Sequence, residues 1–196
     1  MLACAERRAT LQPAASSIKV QELGKPVQDF VLENVEGGTQ SLTSFLESKK
    51  GAVVVFWSGI CSHCVRYDSY FNEFARNHPE LGFVAVASRH GEGIAEIQKA
   101  RKERKLSFPI LHDPGGVIAK EWMTQQTPRV FLVDDKRNLL YRGAIDNYKY
   151  AGDPEQALYL EPAIAEFLAG KPITRGETAS FGCAIQSVYY TLPRQL

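Results

Sequence analysis

The chain has 196 residues, 44% of them hydrophobic and 23% charged, a globular composition with enough length for one well-filled core. Lysine plus arginine number 23 against 22 aspartates plus glutamates, and this net charge of +1, with no block of like charge, gives no footprint for nucleic-acid binding. The longest purely apolar run, Ala52 to Trp57, is far below the roughly 18 residues of a membrane-spanning helix, so no membrane span is expected. Four cysteines are too few for a disulfide framework at this size, which puts the weight on their spacing.

Residues 1–23 lack an apolar signal core and read as a flexible arm, although Met1-Leu2-Ala3-Cys4 also fits the stub of a lipoprotein cleavage site. From Gly24 a pattern sets in. An edge strand is predicted at Phe30-Val31-Leu32, a turn at Gly37-Gly38 and a short helix over Leu42 to Leu46. Ala52 to Trp57 is a β-branched and aromatic run suited to a central strand covered on both faces. After the Ser58-Gly59 turn, Val65, Tyr67, Tyr70, Phe71, Phe74 and Ala75 recur at helical spacing, predicting one long helix that stops at His78-Pro79.

Leu81 to Ala87 reads as a second buried strand, and Gly93 to Leu106 as a helix with a basic outer face. Phe108 to Leu111 is a short strand and Val117 to Trp122 a short helix. Arg129 to Asp134 and Leu139 to Arg142 form a hairpin across residues 135–138, and a helix over Glu155 to Leu168 ends at Gly170 and Pro172. Alternating strands and helices closed by a hairpin predict an α/β sandwich around a mixed sheet. Its extent is residues 24–170, and residues 171–196 form a C-terminal extension without a clear period.

The strongest chemical signal is Cys61-Ser62-His63-Cys64, placed where a buried strand gives way to a helix. Unpaired amides and the helix dipole at that position favour a thiolate on Cys61, making it the nucleophile. Cys64, one turn further on, can resolve a mixed disulfide by attacking the Cys61 sulfur. His63 sits beside Cys61, where its imidazole would tune the thiolate or simply occupy the turn. Zinc would need two more ligands, and Cys183, His78, His90 and His112 are scattered, so no metal is expected. A second, weaker signal is Thr127-Pro128 at the mouth of the Arg129 strand, a place where a cis peptide is used.

Together these motifs resemble the thioredoxin-like superfamily, in particular bacterial redoxins of the TlpA/ResA and alkyl hydroperoxide reductase/thiol-specific antioxidant type. The likeness runs from Gly24-Lys25-Pro26 and Asp29-Phe30-Val31-Leu32, through Phe56-Trp57 ahead of the cysteine pair and Phe108-Pro109-Ile110-Leu111 with Asp113, to Thr127-Pro128. It implies a thioredoxin-like three-layer sandwich and thiol:disulfide exchange at Cys61 and Cys64, with protein thiols or disulfides and an electron donor as partners and no organic cofactor. It also implies a cis-Pro128 facing the pair, Thr127 pairing with an extended substrate, and Trp57 and Ile60 on the substrate surface. Glu92 is the nearest match to the glutamate that relays a proton in TlpA/ResA-like proteins, and otherwise reads as a solvated loop carboxylate.

Departures are Ile60, in place of a frequent tryptophan, and Val55, where thioredoxins keep a buried aspartate. Two other readings stay open. A thiol peroxidase would use Cys61 with Cys64 or Cys183 as resolving cysteine; Ser58 is correctly spaced, but Val54 stands in place of the expected proline. A copper-binding redoxin would hold soft Cu(I) on the two thiolates, with His112 as the candidate histidine. Cys183, in the Gly182-Cys183 segment, is a third redox partner or an unreactive thiol. The resemblance favours the periplasm or cell envelope, and the start of the chain, taken as it stands, the cytoplasm.

Overall fold

The computed structural model describes residues 22–148 and 154–185; the expected arm through residue 21, Cys4 included, lies outside the described residues. The strands in chain order are β1 (Val31–Asn34), β2 (Thr39–Ser41), β3 (Gly51–Trp57), β4 (Leu81–Ala87), β5 (Ile110–His112), β6 (Gln126–Thr127), β7 (Arg129–Asp134), β8 (Leu139–Gly143) and β9 (Cys183–Ala184). The α-helices are α1 (Leu42–Leu46), α2 (Ser62–Val65), α3 (Asp68–Asn77), α4 (Ile94–Arg104), α5 (Val117–Glu121) and α6 (Leu160–Leu168). Among the described residues, seven strands form one sheet in the order β2-β1-β5-β4-β3-β7-β8, and β6 pairs with β9 in a separate ribbon. β3, β4 and β5 run parallel, while β1 and β7 join them antiparallel, which gives the mixed, helix-flanked sheet of a thioredoxin-like sandwich.

β3 is buried along its whole length, and its pleat feeds two cores. Val53, Val55 and Trp57 face an aromatic layer with Phe71, Phe83 and Phe108, whereas Ala52, Val54 and Phe56 face Trp122 and Phe131 across the sheet. β3 therefore has water on neither face, which accounts for its unbroken apolar run.

Several elements differ from expectation, each for a local reason. The first strand is shifted to Val31–Asn34, and β2, too short to show a period, pairs with it. The long helix after Cys61 is two: Tyr67 N donates back to Cys64 O at 3.0 Å, closing a tight turn, and α3 restarts with Phe71 N donating to Tyr67 O at 2.9 Å. Pro109 cannot donate to a ladder, so β5 begins only at Ile110. The last helix begins at Leu160 rather than Glu155, because Pro162 has no N–H to give a carbonyl one turn upstream and is tolerated only in a first turn. On α4, Arg101 and Arg104 turn inward: their side chains are largely buried, at 16% and 18% exposure.

α1 lies so close to β4 that a Cβ at Gly82 would overlap the Phe45 carbonyl oxygen. Gly82→Ala is expected to cost about 1–3 kcal/mol of stability, the range for overpacking a filled core. Urea denaturation of the variant against the parent measures it.

Candidate active site

Topology brings the two chemical signals together. β3 and β7 pair antiparallel with Phe56 opposite Arg129, so the loop leaving β3 and the segment entering β7 meet at one end of the sheet. Cys61 stands on the first and Thr127-Pro128, with the cis peptide expected from sequence, on the second. Cys61 Sγ lies 3.2 Å from the Thr127 carbonyl oxygen, to which the thiol donates. Cys61, Cys64 and Cys183 are all free thiols, and the first two are wholly buried.

The thiols differ sharply. Hydrogen bonding by the Cys64 thiol, and after it by Cys183 and Thr127, pulls Cys61 down to about 4 against the contrary effect of burial. Burial pushes Cys64 up, and the Cys61 thiolate beside it adds to the rise. This is the asymmetry of a nucleophile and a reserve thiol. It comes from neighbouring hydrogen bonds more than from a helix dipole, since α2 is a single turn with Cys61 as its cap.

The loop between β3 and Cys61 is held at the peptide groups of Gly59. Its N–H donates to Glu92 Oε1 at 2.6 Å, and its carbonyl accepts from Arg104 Nη1 at 2.6 Å. Arg104 in turn donates from Nε to Asp68 at 2.7 Å and lies over the Trp57 ring at 5.2 Å. A Cβ at Gly59 would sit 2.7 Å from Glu92 Oε1 and 2.8 Å from the Ala100 Cβ, so this position admits only glycine. Glu92 is buried, not solvated, and burial pushes its carboxyl up against the opposing pull of the Ser58 hydroxyl and the Gly59 amide. Ser58 touches both partners, since a backbone hydrogen bond from it also steadies the Cys64 thiolate.

The structure gathers Cys61, Cys64, Thr127 and Pro128 at one point, with Glu92 behind the loop. Ile60 is 64% exposed beside Cys61, in reach of a partner. Trp57, expected on the substrate surface, is instead wholly buried beneath it, edge-on to Phe108. His63 is half-buried and, with Pro128, lines a cleft of about 670 Å3 next to the pair; the group it brings to a sulfur is its backbone, hydrogen-bonded to Cys183. His112 stands at the end of β5, with β4 between that strand and β3. Among the described residues no group of three or more His, Cys, Asp or Glu is placed to hold a metal ion.

Sequence reading missed Arg104, Asp68 and the glycine requirement at Gly59, which depend on α4 and α3 folding back against the loop. It offered Cys183 as a third redox partner but missed the pairing of β9 with β6 that sets Cys183 opposite Thr127. The Gly182-Cys183 pair was the one visible signal.

Residues 23–142 match the model of the AhpC/TSA family. The thiol-disulfide oxidoreductase ResA of Bacillus thuringiensis subsp. konkukian is 31% identical over 113 residues, 58% of this chain and 64% of that protein, short of two thirds of its length. The thiol:disulfide interchange protein DsbE of Allochromatium vinosum is 25% identical over 152 residues, 76% of this chain and 78% of that protein. Among solved structures, the hypothetical protein SMc02350 of Sinorhizobium meliloti superposes with a TM-score of 0.74 at 28% identity, covering 84% of this chain and 93% of that one.

The lowered Cys61 value has a direct spectroscopic consequence. Thiolate ultraviolet absorbance of the reduced protein is expected to persist through neutral pH and fall with a midpoint of about 4. The transition should vanish in Cys61→Ser and survive in Cys183→Ser with its midpoint moved up, because one of the stabilising hydrogen bonds is gone.

Proposed function

The chain belongs to the AhpC/TSA family, and from that premise we propose that it is a thiol:disulfide oxidoreductase whose redox store is the Cys61–Cys64 pair. The observation that carries this reading is the pairing of a strongly acidified Cys61 with a Cys64 thiol that burial keeps protonated, opposite Thr127-Pro128. The Cys61 thiolate attacks a substrate disulfide, forming a mixed disulfide and releasing one substrate thiolate. Cys64 then gives up its proton and attacks the Cys61 sulfur, releasing the second substrate thiol and leaving the Cys61–Cys64 disulfide. The reverse sequence oxidises a dithiol. Both electrons reside on the two sulfurs, so the exchange needs no organic cofactor.

Glu92 takes the proton of Cys64 in this reading, and Ser58 lies against both, its hydroxyl on Glu92 and its backbone on Cys64. A buried carboxyl raised above its usual range takes up a proton more readily than a solvated one. Partners are protein thiols and disulfides, met by an apolar rim of Ile60 and Val65, 64% and 46% exposed; the Thr127 backbone, expected to pair with a substrate, is buried and already paired with β9. His63 borders the same surface. The likeness to ResA and DsbE favours a compartment outside the cytoplasm, the periplasm or envelope, where disulfides persist. A peroxidase reading draws less support: Val54 lies within buried β3, and the relatives are named for disulfide exchange.

Reduction of a model protein disulfide, followed by turbidity with dithiothreitol as donor, tests the assignment. Cys61→Ser should fall to the uncatalysed rate, and a Cys64→Ser Cys183→Ser variant, left with neither neighbouring thiol to resolve it, should accumulate a covalent mixed disulfide when mixed with the substrate alone, visible by mass spectrometry. Glu92→Gln should leave formation of that adduct intact while slowing its resolution and flattening the acid limb of the rate–pH profile. A Cys61→Ser variant with parental turnover would sink the proposal.

A further inference from the structure

The C-terminal segment 174–185 is laid across the site and fixed at both ends. Upstream it is tied to β8: Arg142 N donates to Gly176 O at 2.9 Å, Thr178 N donates to Arg142 O at 3.1 Å, and Ala144 N donates to Thr178 Oγ1 at 3.0 Å. Downstream, Ile185 N donates to Gln125 O at 2.8 Å and its side chain is buried in the second core. Between the anchors β9 pairs antiparallel with β6, Cys183 opposite Thr127 and Ala184 opposite Gln126. The edge it covers is the one an extended peptide would pair with to present a cysteine to Cys61. Gly182 fits the approach, since a Cβ there would overlap the Thr127 carbonyl oxygen.

This segment brings a thiol with it. Cys183 stands opposite Thr127, whose carbonyl oxygen takes the Cys61 thiol, so strand register sets it beside Cys61, and it is the partly exposed member of the three described cysteines. An unreactive buried thiol has no need of a strand register that sets it opposite Thr127.

We propose that residues 180–185 are a tethered substrate, in which Cys183 takes the place of a client cysteine and exchanges a disulfide with Cys61 in alternation with the Cys61–Cys64 bond. The inference rests on the oxidoreductase reading. Starting from the Cys61–Cys64 disulfide, the Cys183 thiolate attacks the Cys61 sulfur; the Cys61–Cys183 bond forms, the Cys61–Cys64 bond breaks, and Cys64 leaves as a thiolate that takes up the proton Cys183 lost. No electrons enter or leave. An external client must displace β9 to reach Cys61.

The test uses the full chain equilibrated in millimolar reduced and oxidised glutathione, acid-quenched and mapped by mass spectrometry. In Cys64→Ser, Cys61 attacks oxidised glutathione, and Cys183 then displaces the bound glutathione, so that one oxidised glutathione yields one protein disulfide and two thiols. The Cys61–Cys183 disulfide should outweigh the Cys61–glutathione adduct by about tenfold or more, as expected when the competing thiol is tethered in place. Adding Gly182→Val to that variant should reverse the ratio by blocking the docked register. A Cys64→Ser protein carrying only the glutathione adduct overturns the proposal, as does a Gly182→Val double variant that forms the Cys61–Cys183 bond undiminished. The parent chain, titrated alongside, separates the two claims: a Cys61–Cys64 couple there upholds the oxidoreductase reading whatever the tail does, and its absence removes that reading itself.

Discussion

The approach of Cys61 Sγ to the main-chain carbonyl of Thr127, at 3.2 Å, is the contact on which the rest of the site depends. It exists because β3 and β7 are paired neighbours whose ends deliver a loop and a strand entrance to the same spot. The carbonyl accepts a hydrogen bond only from the thiol and so favours the protonated form. The thiols of Cys64 and Cys183 and the Thr127 side chain favour the thiolate, and together they prevail. Cys61 is thus poised between two sets of partners, and whatever occupies the edge of β6 alters that balance.

Holding a sulfur at that distance requires a stiff loop. The peptide groups flanking Gly59 are gripped on one side by a carboxylate and on the other by a guanidinium, both largely withdrawn from water. Charge-assisted hydrogen bonds of this kind are roughly twice as strong as neutral ones. Arg104 couples the grip to α3 through Asp68, so the helix carrying the aromatic core and the loop carrying Cys61 share one electrostatic brace.

Much of the fold was legible because its signals are local. The unbroken apolar run of β3 and β4 announces strands covered on both faces, and C-x-x-C at the end of such a strand announces the chemistry. Where reading failed, the deciding contact was distant or subtler than periodicity. Apolar spacing through Val65 and Phe74 is the same for one helix or for two joined at a tight turn, and the basic residues of α4 look outward until Asp68 and the Phe108 carbonyl are seen to receive them. Trp57 fits the substrate surface of related redoxins by sequence position alone, but the pleat of β3 points it into the core. The tail has no period because its order comes from β8 and β6 and not from itself.

The double anchoring of the tail gives the site a thermodynamic threshold. With β9 in the place of a client as proposed, a client's apparent affinity is its intrinsic affinity multiplied by the fraction of molecules in which β9 has lifted, so every contact that holds Thr178 or Ile185 in place is subtracted from binding at Cys61. On the proposed docking, the local stability of the twelve residues 174–185 sets how selective Cys61 is: weak or crowded clients are refused, while those able to replace a β ladder and its buried isoleucine are admitted. Reactivity can then be retuned by substitutions at the anchors, with the chemistry of the cysteine pair left as it is.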